Sequence, residues 1–162
     1  MTESPLVFIR ASSLATLFDC PARWEAEHLL GMRKPRSAPA QLGTAVHAGT
    51  ALFDQSRLPG ASPISADDAA GAVVDAIYKP EEDVDWDDTP QREAEKVALS
   101  LHTRYCNDIA PHQHYVGVEV RCESLELPDL GICLTGTTDR VREIDGKRGI
   151  TDLPEHGGGV FC

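Results

Sequence analysis

Apolar residues recur at helical spacing over the first two thirds of the chain, from about residue 12 to residue 108. Proline and glycine divide this part into separate helices, and Pro21 is well placed to begin one that turns Trp24 inward. The clearest segment is predicted from about Ala40 to Gln55. Its apolar residues, three or four positions apart, should face the core. They are Leu42, Ala45, Val46, Gly49, Leu52 and Phe53.

Further along, the apolar period changes from helical to alternating, which is typical of strands. One strand is predicted around residues 116–122 and a second over 132–144, interrupted by Gly136. Asp145-Gly146 is a strong signal for a two-residue hairpin turn. The chain should return from this turn as a third strand over residues 147–153.

This order of elements predicts an α/β (α+β) fold, with N-terminal helices packed on a small mixed or antiparallel sheet. The length of 162 residues suits one domain with a sizeable core. We therefore expect a single domain over residues 1–162. Its helical part is about 12–108, its sheet part about 114–153, and an irregular tail covers 154–162.

The net charge of −11 argues against general nucleic-acid binding, which normally requires a positively charged surface. The charge is uneven, because residues 81–88 hold six acids whereas Arg33, Lys34 and Arg36 form a small basic patch. A bound divalent cation reverses the local field of acidic ligands. An acidic nuclease therefore stays physically possible.

The five cysteines are scattered without a CxxC pair, which predicts reduced thiols rather than disulfides or a zinc site. The N-terminal segment lacks the long apolar core of a signal peptide, and no stretch is apolar enough to span a bilayer. From these patterns we expect a cytoplasmic protein without a membrane partner.

Two carboxylates flank the predicted hairpin. Asp139 precedes the Asp145-Gly146 turn and Asp152 follows it at a similar distance, so strand pairing should bring them together. Two nearby carboxylates repel each other unless a cation such as Mg²⁺ or Mn²⁺ lies between them. A metal site on the sheet is one interpretation of this pair.

Structural interpretations stay open for each candidate. Asp139 can pair with Arg140 or another arginine, and Asp152 can simply end a strand. His47 lies on the flank of an apolar helix, four residues after Gly43, where a histidine is often a hydrogen-bonded rim residue. Glu119 is either a further acid on the same sheet face or part of ordinary exposed alternation.

Four segments, in order along the chain, resemble the signatures of RecB-like nucleases of the PD-(D/E)XK superfamily. They are SSLATLFDCPARWEAEHLLG, QLGTAVHAG, VEVRCESLELPDLGICLTGTTDRV and GITDL, which together extend from residue 12 to residue 153. The resemblance implies an incomplete restriction-endonuclease-like core. It also implies a metal-dependent DNA nuclease of the phage or prophage exonuclease type, acting in DNA recombination, repair or phage DNA processing.

The same resemblance implies roles for individual residues. His47, Asp139 and Asp152 would bind Mg²⁺ or Mn²⁺, and the carbonyl of Leu153 would add an oxygen. Asp139 and Asp152 would also be the catalytic residues, with Glu119 and Gly43 auxiliary to them. Contacts to DNA would come from Arg33, Lys34, Arg36 and Arg140.

The chain departs from the family pattern at Pro154. The Asp-x-Lys motif of the family places lysine two residues after Asp152, and proline supplies neither charge nor a side-chain donor. That lysine orients the attacking water and stabilises developing negative charge. The tail PEHGGGVFC also reads unlike the family, so we expect a truncated or frame-disrupted member without an iron–sulfur cluster.

Three functions follow from these patterns. The first is an active or formerly active metal-dependent DNA exonuclease. The second is a non-catalytic protein that keeps the fold to bind DNA or a protein partner. The third is a helical protein-interaction module in which the hairpin binds no metal. Apolar surface exposed by truncation would favour self-association.

Overall fold

The computed structural model describes residues 6–86 and 89–151. The sequence predictions for Asp152, Leu153 and Pro154 therefore lie outside the described residues. The chain divides into two compact units: residues up to Lys34 together with Arg121–Thr138, and Pro35–Val120 together with the residues from Asp139 onward. The mixed α/β class predicted from the sequence is confirmed, and the single domain over 1–162 stays a prediction.

The first unit contains a small mixed sheet and two short helices. Strand β1 (Val7–Arg10) pairs in parallel with β6 (Ile132–Thr135), which pairs antiparallel with β5 (Leu125–Leu127). Helices α1 and α2 span Leu14–Asp19 and Pro21–His28. Trp24 is buried as predicted, and its indole N–H donates to Ser13 Oγ at 2.9 Å. Strand β1 was not predicted, because four residues are too few to show a period.

The second unit is built around three helices that pack on one another: α3 (Ala38–Ser56), α4 (Ala66–Tyr78) and α5 (Gln91–Arg104). Their shared core contains fully buried small and branched residues, namely Ala45, Val73, Ile77, Ala94 and Ala98. Gly49 allows this close approach, because an added Cβ would overlap Val73 and the ring of His102. Two short strands, β2 (Arg36–Ser37) and β3 (Val84–Asp85), pair in parallel beside the helices.

The predicted inward face of α3 is correct except at one position. Ala45, Gly49 and Phe53 are buried, but Leu52 is 40% exposed, so the prediction that it faces the core is wrong. Thr50 and Asp54, two residues before and after Leu52, are buried instead, at 0% and 2% exposure. Helical spacing alone does not reveal this, because it gives no reason to bury a polar residue in preference to leucine.

A three-stranded sheet has the strand order β4-β7-β8, where β4 is Tyr115–Arg121, β7 is Thr137–Ile144 and β8 is Lys147–Thr151. The predicted turn is confirmed: Asp145 and Gly146 both have positive φ, 52° and 73°, as a type I′ hairpin requires. The antiparallel register pairs Arg140 with Thr151 and Ile144 with Lys147. The predicted break at Gly136 separates β6 from β7, which belong to different sheets.

No helix in the described ranges is long and apolar enough to cross a membrane. The described cysteines, which are Cys20, Cys106, Cys122 and Cys133, are not joined in disulfides.

Candidate metal centre

Three elements of the second unit bring metal-ligating side chains together. His47 comes from α3, Glu119 from β4 and Asp139 from β7, and one ligand atom of each lies within 4.8 Å of the others. The Nε2 atom of His47 is 3.3 Å from Glu119 Oε1 and 3.3 Å from Asp139 Oδ2. Residues far apart in the sequence thus form one cluster of a nitrogen and two carboxylates.

Helical spacing explains the place of His47. Ala45 and Gly49 on either side of it are buried in the helical core, so His47 lies on the flank of α3 with its side chain 27% exposed. Gly43, one turn earlier, has nothing within 4 Å of the place where a Cβ would be. The surface one turn before His47 is therefore open.

Glu119 reaches the cluster through an unusual backbone conformation. Its φ of 52° lies in the left-handed region, which is uncommon for a non-glycine residue and rare within a strand. The alternation of exposed and buried side chains along β4 holds up to Val118 and then stops, leaving residues 119–121 exposed. Because strained backbone concentrates at functional sites, this conformation is independent support for a role of Glu119.

The electrostatics of the cluster favour a cation. The side chains of Glu119 and Asp139 are 35% and 25% exposed, so water screens their mutual repulsion only in part. The Nε2 atom of His47 is buried and has no aligned hydrogen-bond partner among the described residues. The Asp139 carboxylate, with help from Glu119, holds the pKa of His47 above its usual range.

This donor set fits a divalent metal ion. An imidazole nitrogen and carboxylate oxygens are common ligands of Mn²⁺ and related ions, and carboxylates suit Mg²⁺. A buried ring nitrogen without an aligned partner is also what a ligand histidine leaves when it is not coordinated. The residues present therefore fit the kind of ion predicted from the sequence.

A buried ion pair lies directly behind the cluster. The Arg140 side chain is fully buried, and its Nε donates to Asp54 Oδ2 at 2.7 Å. Its other nitrogens donate to the Asp139 carbonyl at 3.0 Å and to Thr50 Oγ1 at 3.3 Å. Tyr105 also donates its hydroxyl to Asp54 Oδ2, at 2.7 Å. The pair is thus hydrogen-bonded on several sides, as a buried charge requires.

Arg140, predicted to contact DNA, has no exposed side-chain surface, and its guanidinium is engaged inside the protein. Arg36 is half-buried and bonded to Thr44 and Glu82. Arg33 and Lys34 are exposed and belong to the first unit. Of the predicted DNA-binding residues, these last two have the accessible surface that such a contact needs.

Asp54 and Tyr105 were not singled out from the sequence, although one signal was present. His47, Thr50 and Asp54 stand at positions i, i+3 and i+7 of the predicted helix, so they share a face. A polar stripe beside an apolar face usually indicates solvent contact. In this protein Thr50 and Asp54 belong to a buried network instead, because Arg140 of β7 donates to both and compensates the charge of Asp54.

The raised pKa of His47 predicts a pH dependence of stability in the metal-free protein. A group whose pKa is raised on folding stabilises the protein below its unfolded pKa, and this contribution is lost as the pH rises through the folded pKa. With EDTA present, the wild type should exceed His47→Gln in unfolding free energy at about pH 5.5, and the difference should shrink by about pH 8.5. Urea unfolding at both pH values measures it, and a difference independent of pH would contradict the charged contact.

Comparison with known proteins agrees with the geometry. The family model described as the PD-(D/E)XK nuclease superfamily matches residues 10–153, which is most of the chain and includes all three residues of the cluster. No curated protein and no solved structure matches the chain.

Proposed function

Because the chain belongs to the PD-(D/E)XK nuclease superfamily, we propose that it is a metal-dependent DNA nuclease of the RecB-like, phage-exonuclease type. The proposed reaction is hydrolysis of phosphodiester bonds in linear DNA during recombination, repair or phage DNA processing. One observation carries the proposal: His47, Glu119 and Asp139 converge from a helix and two strands into a cluster with metal-ligand spacing.

The proposed ion is Mg²⁺ or Mn²⁺, held by His47, Asp139 and Glu119. Asp152 and the carbonyl of Leu153 complete the proposed ligand set. Support for Asp152 comes from its place in the sequence, directly after Thr151, which pairs with Arg140 in the hairpin. Glu119, predicted as auxiliary, is here proposed as a full ligand because of its 3.3 Å contact with His47.

A bound divalent ion would polarise a phosphodiester oxygen and activate a water molecule. The residues of the chain contribute fixed positions for this chemistry. Asp139 and Glu119 would supply the negative charge that attracts the ion. The bound ion would in turn offset the repulsion between these acids and the DNA phosphates. His47 projects from α3 and would fix one direction of coordination of the ion. The open surface at Gly43 leaves room beside His47.

DNA is the proposed partner, bound in part through Arg33 and Lys34. The net charge of −11 means that phosphate contacts must be few and local. Neutral variants of these residues should reduce DNA affinity and its salt dependence without changing metal binding.

Pro154 favours a second candidate function, a non-catalytic protein that binds DNA or a protein partner on the same fold. The proline stands two residues after Asp152, where the family motif has lysine. A chain that binds the ion but lacks this lysine would keep the site and lose much of the rate. The two candidates therefore differ in cleavage and not in metal binding.

Metal binding is tested by thermal unfolding with and without Mn²⁺. A ligand that binds only the folded state stabilises it by about 2.7 kcal/mol at a hundredfold excess over Kd. The wild type should show a rise in Tm with Mn²⁺ that is absent in His47→Ala. The matched control is His112→Ala, which changes an exposed histidine and should keep the rise. No metal-dependent rise in the wild type would contradict the proposed site.

Cleavage is tested on linear single- and double-stranded DNA with Mg²⁺ and with Mn²⁺. Metal-dependent cutting that Asp139→Ala abolishes and Asp129→Ala retains supports the nuclease, since Asp129 is an exposed acid in the first unit. Metal binding without any cutting supports the non-catalytic alternative.

We also propose that the protein is cytoplasmic, as the free thiols of the four described cysteines favour, and that it self-associates. Ile144 and Ile150 of the hairpin are 61% and 65% exposed, and apolar surface of this kind favours contact between copies. We expect an oligomer in sedimentation at micromolar concentration, shifted towards monomer by Ile150→Lys. A monodisperse wild-type monomer would refute the self-association.

A further inference from the structure

We infer that Asp54 is a positioning residue that holds the Arg140 guanidinium away from Glu119, and so keeps the Glu119 carboxylate available to a metal ion. The inference rests on the proposed function, because it assigns Glu119 to the metal. Asp54 would be a component of the site that does not contact the ion, because Asp54 acts on Glu119 through Arg140.

Among the described residues, the Arg140 guanidinium faces the carboxylates of Asp54 and Glu119. Arg140 Nε lies 2.7 Å from Asp54 Oδ2, whereas the contact with Glu119 is longer, 3.7 Å from Arg140 Nη1 to Oε1. The same Nη1 donates to the carbonyl of Asp139 at 3.0 Å. Arg140 therefore stands within ion-pair distance of one proposed metal ligand and is bonded to the backbone of another.

Asp54 is fixed in place by its own contacts. Its side chain is 2% exposed, and its Oδ2 accepts from Tyr105 as well as from Arg140. Burial raises the pKa of the Tyr105 phenol well beyond its ordinary range, so the hydroxyl stays protonated and keeps donating. The Asp54 carboxylate is consequently a rigid anchor for the arginine.

The anchor matters because a buried cation must be compensated. With Asp54 present, the pair is neutral, and the charges of Glu119 and Asp139 are left to attract the ion. Without the Asp54 charge, the Glu119 carboxylate, 3.7 Å from Arg140 Nη1, is still within ion-pair distance of the guanidinium. A shorter Arg140–Glu119 pair would then compete directly with the metal for the same oxygens.

The test compares Mn²⁺ affinity by calorimetry in the wild type, Asp54→Asn and Tyr105→Phe. Asparagine keeps an acceptor for Tyr105 and removes only the charge, so we expect Mn²⁺ binding to weaken about tenfold or more, the usual effect of losing an outer-shell partner. Tyr105→Phe removes a hydrogen bond from Asp54 but leaves its charge, so it should bind Mn²⁺ like the wild type even where its Tm falls. Unchanged affinity in Asp54→Asn, or an equal loss in Tyr105→Phe, would overturn the inference.

A second variant covers the case in which Asp54→Asn is poorly folded. In Asp54→Asn/Arg140→Gln both buried charges are gone, so no guanidinium remains to compete for Glu119. We expect the double variant to bind Mn²⁺ at least as tightly as the wild type. Weaker binding in a folded double variant would show that Arg140 acts through something other than competition.

A metal-free measurement separates this inference from the proposed function. In EDTA at about pH 8.5, where the charged His47 contact contributes little, Glu119→Gln should be neutral or stabilising in the wild type, since it relieves repulsion with Asp139. In the Asp54→Asn background it should be destabilising, because Arg140 there depends on Glu119 for a compensating charge. Urea unfolding of the wild type, Glu119→Gln, Asp54→Asn and Asp54→Asn/Glu119→Gln gives this comparison. If the wild type binds no Mn²⁺, the proposed function fails, yet a difference between backgrounds still supports the role of Asp54. An identical effect in both backgrounds overturns that role.

Discussion

Replacing Pro154 with lysine is expected to raise metal-dependent cleavage of linear DNA by about two to three orders of magnitude, the effect of one well-placed group that stabilises transition-state charge. The reason is the spacing after Asp152, because lysine at position 154 restores the Asp-x-Lys motif of the family. A cationic side chain there would orient the attacking water and offset the charge that develops on phosphate. Initial rates on end-labelled DNA with Mg²⁺ or Mn²⁺ measure the gain.

Two variants control this experiment. Pro154→Gln removes the proline without adding charge and should not reproduce the gain. Adding Asp139→Ala to Pro154→Lys should abolish the gained activity, because the rate depends on the metal cluster. If Pro154→Lys is no faster than the wild type while both bind Mn²⁺, the missing lysine is not what limits catalysis, and the non-catalytic binding function gains support.

Asp54→Ala is expected to lower the free energy of unfolding by about 3–5 kcal/mol, the usual cost of leaving one partner of a buried ion pair uncompensated. The substitution strands the fully buried guanidinium of Arg140 and the hydroxyl of Tyr105, both of which bond to Asp54 at 2.7 Å. Urea unfolding in EDTA measures this loss without any contribution from metal.

The control for this loss is Asp129→Ala, which removes an exposed acid and should change stability by no more than about 0.5 kcal/mol. A loss at Asp54 as small as at Asp129 would mean that Arg140 finds water or another carboxylate at little cost. The buried network would then be looser than its short contacts indicate.

The sequence predicted most of the secondary structure because its signals are local. The length of α3 follows from helical spacing, and the turn at Asp145-Gly146 follows from two residues that tolerate positive φ. His47 and Asp139 could also be proposed as metal ligands from the sequence, since each lies in a segment that resembles the nuclease family. The sequence did not reveal that Leu52 is exposed or that Arg140 is buried, because the surroundings of a side chain come from distant parts of the chain.

The sequence by itself therefore determined most of the elements, the family and two residues of the candidate metal site, because periodicity, turn chemistry and motif order are carried by neighbouring residues. Only the tertiary structure decided that Glu119 joins His47 and Asp139, since a positive φ interrupts the alternation that would otherwise direct its side chain. It also decided that Arg140 is buried on Asp54, a contact between residues 86 positions apart that no local pattern encodes. The cluster of His47, Glu119 and Asp139 thus adjoins a buried ion pair, and in our proposal the strength of metal binding depends on both.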